Sequence, residues 1–287
     1  MSFYLSAISL GLGFASLALG IFISMRIFNI PDITTDGSFT LGGAVTAILL
    51  SNHVALPFVI VIAFLSGAVA GSITGIIHTM LKVNALLAGI LVMTALYSIN
   101  LSIMGRSNIP LINLPTIFNS ISFIHDDLLQ QLLVLASFSI LLWILFTWIL
   151  KTDFGLAMRA TGNNEHMIRA LGTNTDRMKI IGLALANGLT ALSGFLITQI
   201  QGFADINMGI GIVILGLGSV MIGEIFLKLF RVNKISIHLL GVIIGSIVFR
   251  LILAFALSIG IDALYLKLVV AVFVLIVVSI PNLKRAS

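Results

Sequence analysis

Three aspartates sit where long apolar runs break, and they are the residues of this 287-residue chain best placed to do chemistry. Asp32 and Asp36 lie in Asn29-Ile30-Pro31-Asp32-Ile33-Thr34-Thr35-Asp36-Gly37-Ser38, and Asp205 in Asp205-Ile206-Asn207-Met208-Gly209. A carboxylate at the centre of a bilayer is costly, so such a residue faces a cavity and marks a path for solute or ion. Thr34, Thr35, Ser38 and Asn207 add short polar groups to the two breaks. The hydroxyls either line that cavity or cap the segment that follows, and Asp32 could do the same. A broken helix also presents backbone N–H groups to an anion, so a site with both features suits a zwitterionic solute. Other chemistry finds little support. The five histidines (His53, His78, His125, His166 and His238) are scattered, and cysteine is absent. No Gly-x-x-x-x-Gly-Lys-[Ser/Thr] phosphate loop occurs, so the chain does not itself hydrolyse ATP. His125-Asp126-Asp127 reads as the start of a helix and not as a metal cluster, since aspartates favour a helix N-terminus.

The elements that must position these residues are membrane helices. Of the chain 59% is hydrophobic and only 9% charged, against about 25% charged in soluble domains. Crossing about 30 Å of hydrocarbon takes roughly 20 helical residues. Segments of that kind run over about 5–26, 54–80, 84–104, 128–150, 179–202, 209–229, 236–257 and 264–281, with a short ninth over 38–52. The fold class is therefore all-α, a polytopic bundle of about nine spans with a broken second helix. It forms a single domain over 1–287 with no soluble appendage. The Met-Ser-Phe-Tyr start lacks a basic region and reads as a retained span. Net charge is +5, but the basic residues sit in short connections. They mark the cytoplasmic side and not a nucleic-acid surface. Lys82, the 151–180 connection, the 228–234 loop (Lys228, Arg231, Lys234) and the tail (Lys284, Arg285) then lie inside. With nine crossings the N-terminus is outside; if 38–52 does not cross, it is inside.

A shift of 173 residues superimposes Ala18-Leu19 on Ala191-Leu192, Phe22 on Phe195, Ile27 on Ile200, Asp32-Ile33 on Asp205-Ile206 and Gly43 on Gly216. The copies begin five crossings apart, an odd number, so they run in opposite directions through the membrane. Repeat A covers about 5–104 and repeat B about 179–281. Inverted repeats with broken helices meeting near the midplane are a transporter architecture. Among the remaining polar residues, Glu224 and Lys228 are spaced for a helix salt bridge. Asn84, Asn100, Asn187, Thr190, Gln199 and Gln201 read as interhelical hydrogen-bonding groups. Arg250 lies inside a span with no partner evident. Gly67, Gly71, Gly75 and Gly241, Gly245 form small-residue faces for close packing, within the chain or against a second copy.

The 151–178 connection carries a short helix, with Asn163 as N-cap and Gly172 as its stop. Met167, Ile168 and Leu171 share one face, suited to docking in a groove of another protein. Here the pattern Gly155-x-Ala157-x-Arg159-Ala160-x-x-x-Asn164, followed by Ala170-Leu171-Gly172 and a new span, resembles the coupling segment of bacterial ABC importer permeases of the branched-chain amino acid and ribose class. The Asp32–Gly43 stretch is similar to that family's broken second helix.

The resemblance implies a multi-pass permease of the bacterial cytoplasmic (inner) membrane, with a second permease copy, a separate ATP-binding subunit and an extracytoplasmic substrate-binding lipoprotein as partners. It implies that ATP and Mg are held by the ATP-binding subunit and that this chain binds no cofactor. It assigns Arg159, Asn163, Asn164, Glu165, Met167, Arg169, Ala170, Leu171 and Gly172 to coupling. Asp32, Thr34, Thr35, Asp36, Ser38, Asp205 and Asn207 fall on the substrate path. The pattern is closest to a subgroup assigned to amino acids such as tryptophan, although Pro31–Asp36 departs from better-known members. An ion-coupled secondary transporter using Asp32 or Asp205 fits the breaks and repeats equally well.

Overall fold

A computed structural model describes residues 2–119, 126–230 and 234–286. His125 and Arg231 lie outside the described residues, as do the side chains of Lys228, Lys284 and Arg285. The helices are α1 (Ser2–Ile21), α2 (Thr34–Ser51), α3 (Leu56–Thr79), α4 (Ala85–Met104), α5 (Asp127–Lys151), α6 (Asp153–Asn163), α7 (Glu165–Ala170), α8 (Thr175–Gln201), α9 (Ile212–Phe230), α10 (Ile235–Ser258) and α11 (Leu266–Ala286). Each long helix lies within a few residues of its expected span, because a bilayer-length apolar run bounded by Gly, Pro or Asn leaves little choice. Six helical stretches among the described residues are long and apolar enough to cross a membrane: Phe3–Ile27, Leu56–Thr79, Ala85–Met104, Asp127–Lys151, Thr175–Gln201 and Ile235–Ser258. The chain is thus a multi-pass, all-α membrane protein. Two further apolar stretches, Ile212–Leu227 and Leu266–Val277, are shorter. The 18-residue α2 is more polar and lies inside the bundle.

Burial separates an inner from an outer layer. The apolar windows of α1 and α8 are 83% and 78% buried inside the protein, against 28% for those of α3, α4 and α5. The outer helices expose Phe58, Leu65, Val69, Leu141 and Trp148, which is the surface lipid requires. At the centre α8 packs on both α2 and α3, and small residues set the spacing. Gly42 of α2 abuts the Ala191 backbone, and Gly67 and Gly71 of α3 abut Asn187 and Leu183. Gly245 of α10 abuts Ser219 of α9. Both glycine faces therefore serve packing within this chain.

Four features of the structure add to or correct the expectations. First, a small antiparallel ribbon is added to the helical bundle: β1 (Asn108–Pro110) pairs with β2 (Phe203–Asp205) in the register Asn108↔Asp205, Ile109↔Ala204, Pro110↔Phe203. Ile109 and Ala204 are buried beneath it. Second, Glu224 pairs with Arg26, 198 residues away; the expected pair with Lys228 lies outside the described side chains. Third, the 151–174 connection holds two helices, not one. Thr152 caps α6, donating its hydroxyl to Ile149 O and accepting from Gly155 N. Fourth, the N-cap of α7 is Asn164, whose side-chain oxygen accepts from Met167 N at 3.0 Å, whereas Asn163 is the last residue of α6. Gly172 does follow that helix, with φ +87°, a conformation glycine adopts without strain.

Candidate translocation site

The first break is built by a change of helix type. The segment that continues α1, Phe22–Ile27, is π-helical. Ile30 N reaches back to Ser24 O at 2.9 Å, and Asn29 takes φ 55°. Pro31 cannot continue a helix, so the chain turns back through 28–33 and α2 starts inside the bundle. Asp32 organises that start. Its carboxylate accepts Thr34 N at 2.9 Å on one oxygen and Asn187 Nδ2 of α8 at 2.6 Å on the other. The amide oxygen of Asn187 accepts Ser38 Oγ at 2.7 Å, and Thr34 Oγ1 lies 2.7 Å from Thr74 Oγ1 of α3. Thr35 Oγ1 donates to Asp32 O. Asp32, Thr34, Thr35, Ser38 and Asn187 are all 0% exposed. A fully buried carboxylate is tolerated only when its lone pairs are engaged, and here α2, α3 and α8 engage them. Asp32, Thr34, Thr35 and Ser38 thus form a sealed knot between α2, α3 and α8.

Asp36, one turn further along, holds the second break. Its two carboxylate oxygens accept Gly211 N at 2.8 Å and Val213 N at 3.0 Å, capping α9 from across the bundle. These N–H groups have no intrahelical acceptor, and an anionic cap also suits the helix dipole. The sequence alignment pairs Asp205 with Asp32, but their surroundings differ. Asp205 ends β2, where it accepts Asn207 N at 2.8 Å and Asn108 Nδ2 at 3.4 Å. Asp205 and Asn207 belong to the ribbon end of the molecule and line none of the cavity described next.

A cavity of about 410 Å³ lies between α2, α4 and the 206–210 segment, lined by Asp36, Gly37, Thr40, Met93, Thr94, Tyr97, Ser98, Asn100, Ile206, Gly209 and Ile210. Of the expected path residues only Asp36 reaches it. The α4 residues were missed, apart from Asn100, which was read as an interhelical hydrogen bonder and does donate to Gly37 O at 3.1 Å. Their signal in the sequence is Thr94, Tyr97 and Ser98 at i, i+3, i+4 spacing on an otherwise apolar helix.

At the other end, α6 and α7 pack under the first break. Gly162 of α6 abuts the Ile27 carbonyl, and Asn29 Nδ2 donates to Gly162 O at 3.1 Å. Arg159 and Asn163, with Arg26, Glu224 and His238, line a cavity of about 600 Å³ there. α7 is tied to the base of α8. Lys179 Nζ donates to Glu165 at 2.5 Å, and Arg169 donates to Glu165, Thr175 and Asp176 at 2.8–3.1 Å. The Lys179 hydrogen bond, more than any other contact, holds the Glu165 carboxyl below the usual carboxylate range. Met167, Ala170 and Leu171 are exposed, with no buried residue in α7. Of the nine expected coupling residues, Glu165 and Arg169 are therefore structural ties, and Met167, Ala170 and Leu171 are free to touch a partner.

Comparison with known proteins agrees with this architecture. The profile of the family described as branched-chain amino acid transport system / permease component matches residues 3–279. A tyrosine transport system permease protein of Clostridioides difficile is 39% identical over 283 residues, covering 99% of this chain and 92% of that protein. An uncharacterized protein of Rickettsia prowazekii is 35% identical over 99% of both chains. An autoinducer 2 import system permease protein of Salmonella choleraesuis is 27% identical over 78% of this chain and 65% of that one. No solved structure matches. The family is one of membrane transport components, not a catalytic one. The chain belongs to the permease-component family of branched-chain amino acid transport systems, the ABC importer class that its 155–172 segment resembles.

Proposed function

We propose that this chain is the permease subunit of an ABC importer for a small solute, an amino acid, forming the solute path and coupling it to ATP hydrolysis in a separate subunit. The observation that carries the reading is the placement of α7. Met167 and Ala170 are exposed, while Glu165 and Arg169 fasten α7 to the first two turns of α8. α8 is 27 residues long, a rod of about 40 Å, and Asn187 near its middle holds the Asp32 knot. A push on α7 or α6 is thereby delivered to the start of α2, beside the cavity bearing Asp36. Two turns of exposed helix suit a groove in an ATP-binding subunit, which would hold the ATP and Mg.

Nine crossings follow if α1–α5 and α8–α11 all span, which puts the α6–α7 end inside and the ribbon outside. An external binding lipoprotein would then deliver solute at the ribbon end, a second copy would complete the path, and the bacterial inner membrane would be the location. The inverted repeat is supported by paired contacts at the junction of α1 and α8. Ser16 Oγ donates to Leu189 O at 2.6 Å, joining positions equivalent under the 173-residue shift. Ser193 Oγ donates to Gly13 O, and the equivalent pair, Gly20 and Ala186, is likewise in contact. The name of the Clostridioides relative favours an aromatic amino acid, in keeping with the tryptophan-like subgroup.

The test is co-purification with a candidate ATP-binding subunit followed by uptake in proteoliposomes. Met167→Asp and Ala170→Asp should abolish ATPase capture while the thermal midpoint of the permease stays unchanged. Arg169→Glu is a poorer probe, because Arg169 also holds Glu165, Thr175 and Asp176. Uptake by this chain alone on an ion gradient without ATP would establish the secondary-transporter alternative.

A further inference from the structure

The cavity between α2, α4 and 206–210 contains a buried group without a partner. Asn100 is 1% exposed, and its Nδ2 donates to Gly37 O. Its Oδ1 accepts nothing among the described residues. Leaving a buried amide oxygen unpaired is unfavourable, and Asn100 is among the residues that line the cavity, so its side chain carries an acceptor awaiting a donor. Asp36 lines the same cavity and none of the lining residues is basic, so the donor it favours is a cation. Both of the carboxylate oxygens of Asp36 already accept N–H groups from α9, yet each retains a second lone pair. Met93 and Tyr97, on the same helix as Asn100, add apolar and aromatic lining, and 410 Å³ is within the size range of small-ligand sites. Thr94, Tyr97 and Ser98 are exposed on α4, a polar stripe that lipid would not favour but a water-filled path would.

We infer that this cavity binds the ammonium group of an apolar amino acid, with Asn100 Oδ1 and the Asp36 carboxylate as acceptors and Met93 and Tyr97 against the side chain. The inference rests on the importer-permease reading for its place in a transport cycle, but its test needs no ATPase. The chain has no cysteine, so Ser98→Cys creates a single reporter in an otherwise unreactive protein. In membrane vesicles a charged, water-soluble thiol reagent should modify it, and much faster than it modifies Ile99→Cys on the neighbouring apolar stripe. L-Phenylalanine and phenethylamine should each slow the labelling. 3-Phenylpropionate, which lacks the ammonium, should need at least about tenfold higher concentration, the loss of one charge-assisted hydrogen bond.

Combining Ser98→Cys with Asn100→Leu should remove that preference. Asn100→Asp, which keeps an acceptor at the same place and guards against a folding failure of the leucine variant, should retain it. Equal reactivity of the two cysteines, equal protection by 3-phenylpropionate, no protection by L-phenylalanine, or an unchanged preference in Asn100→Leu would each overturn the site. Failure of ATPase capture would overturn the importer reading and leave this result standing.

Discussion

Replacing Asn187 by leucine isolates the knot that starts α2. The side chain is 0% exposed, and leucine has nearly the same volume, so packing on Gly67 and Gly71 is largely kept. Three hydrogen bonds are lost: Asn187 Nδ2 to Asp32 at 2.6 Å, Ser38 Oγ to Asn187 Oδ1 at 2.7 Å, and Asn187 Nδ2 to Leu183 O of its own helix at 3.0 Å, the last a local bond that adds little. The first involves a carboxylate and is worth about 1.5–3 kcal/mol. The second is a neutral interhelical bond, about 0.6 kcal/mol in membrane proteins. The expected loss is therefore about 2–4 kcal/mol, on the order of 5–10 °C in thermal midpoint by soluble-domain scaling. Asp32→Asn should cost less, about 1 kcal/mol. Its oxygen can still accept Thr34 N, and Asn187 can rotate its amide so that its oxygen meets the new NH₂ while Ser38 accepts the other end. The assay is thermal unfolding of the purified permease in one detergent, read by size-exclusion fluorescence. An Asn187→Leu midpoint within about 1 °C of the natural chain, or an Asp32→Asn variant less stable than Asn187→Leu, would refute the knot as described.

Two further outcomes follow from the packing and the electrostatics. Gly42→Val should lower the thermal midpoint by more than Asn187→Leu or prevent assembly, since any Cβ at Gly42 meets the Ala191 backbone, which cannot swing away as a side chain can; a stable variant would show that α2 and α8 are not so close. Glu165 titrates below the usual carboxylate range in the folded chain because Lys179 hydrogen-bonds it. Its contribution to holding α7 is present in full above the unfolded carboxylate value and is lost as pH falls through the depressed folded value. Hydrogen exchange of the 165–170 amides should thus accelerate on acidification below the normal carboxylate range, and Glu165→Gln should abolish that pH dependence while exchanging faster at neutral pH.

The bundle was legible in the sequence because a bilayer imposes a length. Every helix that exposes a side to lipid must be apolar over some 20 residues, and α3, α4, α5 and α10 announce themselves that way. The break at 29–38 was legible for a local reason, Pro31 and Gly37 beside polar residues. So was the short helix of the 151–178 connection, although two asparagines in sequence, Asn163 and Asn164, offered the same cap. Only Asn164 has the extended backbone an N-cap needs, φ −153° and ψ 94°. What lay beyond the sequence is long-range. The partner of Asp32 is Asn187, 155 positions away, and that of Glu224 is Arg26, 198 away. The N-terminus of α9 is capped by Asp36, 175–177 positions distant, and not by the nearby Asp205. Periodicity and hydropathy record how a residue meets its solvent, and they carry no term for which distant helix it will face. Sequence alone thus determined that two polar breaks exist and that both fall in a membrane protein. Which carboxylate is sealed into the frame, and which faces a cavity, was decided only when α2, α4, α8 and α9 packed together.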